Sequence, residues 1–324
     1  MLRLLTQLGD DELLEEFIAE VVTRDYDGTD NADLVASAGL LGAEKTGRLY
    51  AELVGRHMRL LHGCCVALLR ALAAASDTSR MREWSKALQQ IADAAVSRLD
   101  EVGKKEREND WMDWRVSEEA PTINAALVAD LLDLLVKLAL SALRTAAAEK
   151  FIARPAVFDV VTVLVPALAV LHERDVAAQR LWEHSAGFLL ERSGVPPESP
   201  KDWRQDVKVA CKCADCRELQ AFTRDPAEQT HRFRVRQDRR QHLHQQIERH
   251  GLDMTHVTER KGSPQTLLCT KDRRSYKGRC EQYRRDVAAL ACLEEQAQKS
   301  PTGNEGTLKR IAAARALAAQ WRPE

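Results

Sequence analysis

Over most of the first 195 residues, apolar positions recur every three or four places, the spacing that lays a hydrophobic stripe along a helix. In "ELLEEFIAEVV" the stripe is Leu13, Leu14, Phe17, Ile18 and Val21, and Asp10 or Asp11 stands where an N-cap belongs. The same period runs through "AEKTGRLYAELVGRHMRLLHGCCVALLRALAAA" and then "SRMREWSKALQQIADAAVSRLDEV". It resumes in a long apolar helix from about Ile123, in "VFDVVTVLVPALAVLHERD" and in "AQRLWEHSAGFLLERSG". Pro166 lacks an N–H and should kink or divide its helix. Successive helices with short connections predict a stacked array of the HEAT or armadillo kind, or an irregular bundle, across residues 1–198. "GKKERENDWMDWRVSEEAPT" interrupts the pattern and reads as a charged surface loop.

The pattern changes after "SGVPPESPKDW", where Pro196, Pro197 and Pro200 mark a boundary. Beyond it, "RVRQDRRQHLHQQIERHG" predicts a helix closed by Gly251, with Arg249 and His250 suited to its negative end. "DMTHVTERKGSPQTLLCTKD" predicts two strands about the turn "KGSP". A basic helix, "SYKGRCEQYRRDVAALACLEEQAQ", follows, and residues 304–319 form a last amphipathic one. The expected fold is mainly α. It comprises a helical array or bundle (1–198), a small α+β Cys-rich basic module (203–292) and a C-terminal helix (293–324).

Composition sharpens this division. The 324 residues exceed one usual domain, and 44% hydrophobic with 30% charged content fits a globular chain. Net charge is −1, yet residues 201–290 hold 21 Lys and Arg against 13 Asp and Glu, a surplus of 8. A basic module therefore adjoins an acidic helical body. The N-terminal "MLRLLTQLGDDELLEEF" lacks the features of a signal peptide, and the longest apolar run is broken by Asp130, Asp133 and Lys137. The expectation is an intracellular protein, cytoplasmic or nuclear, with no membrane partner. In a reducing compartment its eight cysteines favour metal over disulfides.

The chemistry concentrates in "CKCADC", where Cys211, Cys213 and Cys216 supply three thiols within six positions. Structural zinc takes four thiolate or imidazole donors in a tetrahedron, and such spacing places several on one turn. Lys212 and Arg217 would offset the thiolate charge. The fourth donor is sought among His231, His242, His244, His256, Cys269 and Cys280. His242 is preferred because its helix can pack back on the knuckle through Leu243 and Ile247. Cys269 suits a hairpin core, and His244 and His250 suit surface or cap positions. A thioredoxin-like pair at Cys213 and Cys216 would need a βαβ setting that does not precede it. Cys64, Cys65 and Cys292 lie in apolar helices and read as buried residues.

Arg232, Arg234, Arg236, Arg239, Arg240 and Arg249, with Lys261, Lys271, Arg273, Arg274, Lys277 and Arg279, make the module basic. Beside a zinc knuckle this composition raises nucleic-acid binding, centred on Arg232, Arg236, Arg239, Arg240, Lys261, Arg273 and Arg274. Arg236 and Arg240 are expected to share a helical face. The alternative is a solvated face or one docked on the acidic body. No P-loop, H-E-x-x-H or G-x-S-x-G motif is present, and the acid pairs Asp10–Asp11 and Glu118–Glu119 read as helix-start charges.

The run from "CKCADCRELQAF" through "RRQHLHQQIERHGLDMTHVTERKGSPQTLLCTKDRRSY" resembles the C-terminal region of fungal, plant and bacterial proteins that often carry a 2-oxoglutarate/Fe(II) dioxygenase-like domain upstream. The resemblance covers about residues 203–290 and implies an accessory, non-catalytic region of such an oxygenase or a stand-alone relative. Non-haem iron needs two His and a carboxylate, usually opened by H-x-D or H-x-E, and none of the nine His has an acid two positions on. The sequence thus predicts no catalytic residues. It points to a binding protein with structural zinc, foremost a protein-interaction scaffold with an unidentified protein partner.

Overall fold

A computed structural model describes residues 1–76, 81–104, 123–299 and 305–323, and the chain is mainly helical. Local signals set many of the helix starts. After the first helix, α1 (Leu2–Leu8), the Asp10 side chain accepts the Leu13 N–H and opens α2 (Asp11–Phe17). A π turn, Ile18–Val22, carries α2 into the single turn α3 (Thr23–Asp25). Its extra residue per turn rotates the buried stripe, so Val22 rather than the expected Val21 joins Leu14 and Ile18 in the core. Leu13 points outward.

α4 (Asn31–His57) bends at Gly42, whose φ of 75° is open to glycine without strain. α5 (His62–Ala75) and α6 (Met81–Ser97) follow, so the pattern expected to continue from Ala43 to Ala75 breaks at residues 58–61. The long helix expected from Ile123 is also two, α7 (Ala125–Lys137) and α8 (Ser141–Ile152). Ala139 adopts a left-handed φ of 56°, and its N–H and that of Leu140 bond back to Val136 and Leu135. This is the helix-ending motif that glycine usually supplies, here built on alanine and therefore absent from the sequence signal. Pro166 sits in the first turn of α9 (Val165–Val170), where a missing N–H is tolerated. The division it was expected to cause takes the form of a preceding π turn, Val160–Leu164, opened by Asp159. Asp175 caps α10 (Val176–Ser193).

By internal contacts, residues 1–194 and 288–313 form one unit, and 195–287 with 314–324 form a second. The first has an extensive apolar core in which Tyr50, Phe151, Phe158 and Trp182 are fully buried. Trp182 donates its indole N–H to the Leu293 carbonyl at 3.0 Å, so even this large side chain leaves no unpaired donor. Arg144, also buried, pairs with Asp175 at 2.8 Å and with the Glu173 carbonyl.

The second unit contains α11 (Ala214–Arg224), α12 (Gln237–Arg249), the start of α13 (Arg274–Lys299) and a three-stranded antiparallel sheet. The sheet order is β1 (Thr230–Arg234), β3 (Thr266–Lys271), β2 (Met254–Glu259), with Phe233 opposite Leu267 and both His231 and His256 opposite Cys269. β2 and β3 match the expected hairpin, whereas β1 was not expected. Its core comprises Cys216, Leu219, Phe222, Phe233, Leu243, Ile247, Leu267 and Cys269, among others. The last helix, α14 (Glu305–Gln320), contributes to both units. The Trp-bearing loop and Glu118–Glu119 lie outside the described residues. Among the described residues no helix is long and apolar enough to cross a membrane.

Candidate metal centre

The thiol cluster sits where an extended segment turns into α11. Cys213 is the N-cap of that helix, and its sulfur accepts the Cys216 N–H at 3.4 Å. The start of α11 thus fixes the Cys213 sulfur through a backbone amide. Cys216 lies one turn into α11 with its side chain buried in the core beside Leu219.

α12 brings the fourth donor. Leu243 and Ile247 bury its inner face, and Arg239 forms a two-pronged ion pair with Asp215, a buried carboxylate between Cys213 and Cys216. His242 is one turn beyond Arg239 on the same side of α12. Its Nε2 reaches the Cys216 sulfur at 3.2 Å and the Cys213 sulfur at 3.7 Å. The donor atoms of Cys211, Cys213, Cys216 and His242 all lie within 4.8 Å of one another, close enough to hold a metal ion. Metal–sulfur bonds of about 2.3 Å and metal–nitrogen bonds of about 2.0–2.1 Å set tetrahedral S···N separations at about 3.6 Å. The two measured S···N distances bracket that value.

Cys211 and Cys216 are shifted in opposite directions. Cys211 is lowered to about 7, first by the Cys213 N–H and then by His242 and the other thiols. Cys216 is pushed far up by burial, and then by facing the other two sulfurs. A bound cation would offset the burial and mutual repulsion that oppose a Cys216 thiolate.

Elsewhere the candidate donors are engaged in other ways. His231 bonds Glu228 at 2.7 Å and Glu218 at 2.9 Å and lies among the rings of Phe222 and Phe233. His244 and His256 contact each other edge to face at 4.5 Å. His250 is the C-cap of α12, and its Nε2 accepts the Ala210 N–H. Cys269 is a core residue, raised to about 12 by burial, and Cys280 is buried. Of the cysteines read as buried, Cys65 is, Cys64 is partly covered and Cys292 is exposed.

Two of the basic residues, Arg240 and Lys271, are withdrawn from the surface. Arg240 is buried and donates to the Val235 and Gln265 carbonyls. Arg236, by contrast, is the exposed N-cap of α12, so the expected shared face is absent. Arg239 is committed to Asp215, Arg232 to Glu259, Arg236 to Asp238 and Arg274 to Asp272. Arg273 stacks over Trp203 at 4.9 Å, and Lys271 is buried with its ammonium on the Asp225 carbonyl. Lys261 is exposed in the β2–β3 turn, and Arg234, Arg249, Lys277 and Arg279 are exposed as well.

Two contributors escaped the sequence reading. Neither Asp215 nor Gln220 was singled out there. Gln220 ties the segment before the knuckle to α11, accepting the Val209 N–H and donating to the Val207 carbonyl. Only the position of Asp215 inside the cysteine run hinted at a supporting role. Set against known protein families, curated proteins and solved structures, the chain finds no match in any of the three.

Proposed function

We propose that the second unit is a module folded around structural zinc, and that the protein acts by binding a protein partner rather than by catalysis. The observation that carries this reading is the convergence of three thiols and one imidazole within 4.8 Å. Three soft thiolates and an imidazole form a donor set suited to tetrahedral zinc. With four protein ligands such a site has no open position for substrate, so its contribution is folding energy. Asp215 on α11 and Arg239 on α12 support the ligands through their ion pair, as outer partners of metal sites do.

The nucleic-acid reading draws less support, because ion pairs occupy Arg232, Arg236, Arg239 and Arg274 and Arg240 is buried. The oxygenase-accessory reading rests on the resemblance of residues 203–290 alone.

Hydrogen exchange on the full chain, before and after a strong chelator, tests the metal reading. Amides of α11, α12 and β3 should lose protection on metal removal, while those of α4 and α10 keep theirs. Unchanged protection in the second unit after complete demetallation would reject a structural role.

A further inference from the structure

Ten large hydrophobic side chains are exposed among the described residues, and four of them fall within the first 13 positions. Scattered exposed leucines are ordinary, but a concentration of this kind marks a contact surface. α1 buries Leu2 and Leu5 and turns Leu4, 60% exposed, and Leu8, 73% exposed, to solvent on its opposite face. Leu13, also exposed, follows directly after the turn at Gly9 and Asp10. A helix apolar on both faces has one face in its own core and another left for a neighbour.

The adjoining charges say what that neighbour carries. On α2, Asp11 and Glu15 pair inward with Lys45, and Glu15 also with Arg48. Glu12 and Glu16, one turn apart and exposed, have no ion-pair partner among the described residues. Like charges at this spacing repel each other and are relieved by a cation placed between them. Arg3 is the single basic residue before Arg24.

We propose that α1 and α2 present a docking strip, Leu4, Leu8 and Leu13 bordered by Glu12 and Glu16, for a basic amphipathic helix of a partner protein. Its apolar stripe covers the leucines and its flanking Lys or Arg meet the two glutamates. The proposal gives a partner chemistry to the interaction role put forward above and rests on that role. It is independent of the metal.

The test uses the full chain and labelled amphipathic peptides of about five helical turns, sharing one leucine stripe and flanked by Lys, by Gln or by Glu. Fluorescence anisotropy should show the Lys peptide binding most tightly, with affinity falling as salt rises. Leu4→Ser/Leu8→Ser and Glu12→Lys/Glu16→Lys should each weaken it by about tenfold or more. The altered residues are exposed, so helical circular dichroism and metal content should stay unchanged. Equal binding of the Gln peptide, lost in the leucine variant, overturns the partner's charge but keeps the interaction role. No binding of any peptide overturns the strip itself. A concentration-dependent dimer abolished by Leu4→Ser/Leu8→Ser makes the occupant a second copy and also overturns the proposal.

Discussion

The two units keep their shape by different means. In the helical unit, large side chains such as Tyr50, Phe151, Phe158 and Trp182 are wholly buried, and apolar area removed from water carries the fold. The unit built on α11, α12 and the sheet has a smaller apolar core, and polar ties stitch its segments together. Arg239 joins Asp215, Arg240 joins the Val235 and Gln265 carbonyls, and Lys271 joins the Asp225 carbonyl. Gln205 bonds both the N–H and the carbonyl of Asp253. A small core with many polar ties gains most from an added cross-link, and the donor cluster stands where the two helices meet. The contrast is that apolar burial dominates one unit, while the other adds polar ties and a donor cluster close enough to hold a metal ion.

The largest effect should follow from removing ligands. Cys216→Ser should abolish cooperative unfolding of the second unit, since structural zinc supplies on the order of 10 kcal/mol in small sites. Chemical denaturation followed by exchange mass spectrometry would then show the helical unit melting alone. Melting of both units together, unchanged from the parent chain, would erase the distinction between them.

The reciprocal substitution is Trp182→Ala. Loss of a fully buried indole should cost the helical unit about 3–5 kcal/mol while leaving metal content untouched. Metal loss in that variant would mean that the units stand or fall together.

Arg240→Ala probes the polar ties. It removes a buried guanidinium and its hydrogen bonds to two carbonyls, which should cost the second unit about 2 kcal/mol. A cost near zero would place Arg240 among dispensable surface charges.

Asp215→Asn should act on the metal more than on the fold. Breaking the charged clamp to Arg239 should weaken metal affinity by about tenfold, read by competition with a chromophoric chelator.

The smallest effect concerns pH. Burial opposes a charge on His231, but Glu218 and Glu228 outweigh it and raise the imidazole above its usual value of 6.5. A raised value in the folded chain adds stability that is complete below the unfolded value and fades as pH climbs through the folded one. His231→Gln should therefore destabilise the second unit by less than about 1 kcal/mol at mildly acidic pH, and by less still in alkali. A larger loss at alkaline pH would contradict the pairing.

How much of this was legible in the sequence depended on whether a signal was local. "CKCADC" announces itself because three thiols at that spacing have few other uses, and His242 followed from the apolar neighbours that fix its helix. Helix existence was legible from periodicity over much of the chain, but α11 was not expected and helix continuity was not legible. The break at Ala139 uses a left-handed alanine where glycine would have been visible, and the π turn at Ile18–Val22 shifts the stripe by one residue. β1 was invisible because "THRFR" buries only Phe233 and carries two arginines. Its strand character comes from pairing with β3, a partner more than thirty residues away. Which arginines the fold draws inward, as it does Arg240, was not legible for the same reason. Charge can be counted in a sequence, whereas the carbonyls and carboxylates that consume it are assembled only by the fold.

Elemental analysis of the full chain purified without added metal reaches the central claim most directly. The parent chain should carry one zinc, and the variant Cys211→Ser/Cys213→Ser/Cys216→Ser should carry none. A parent chain free of metal, or a triple variant with the same zinc content, would contradict it.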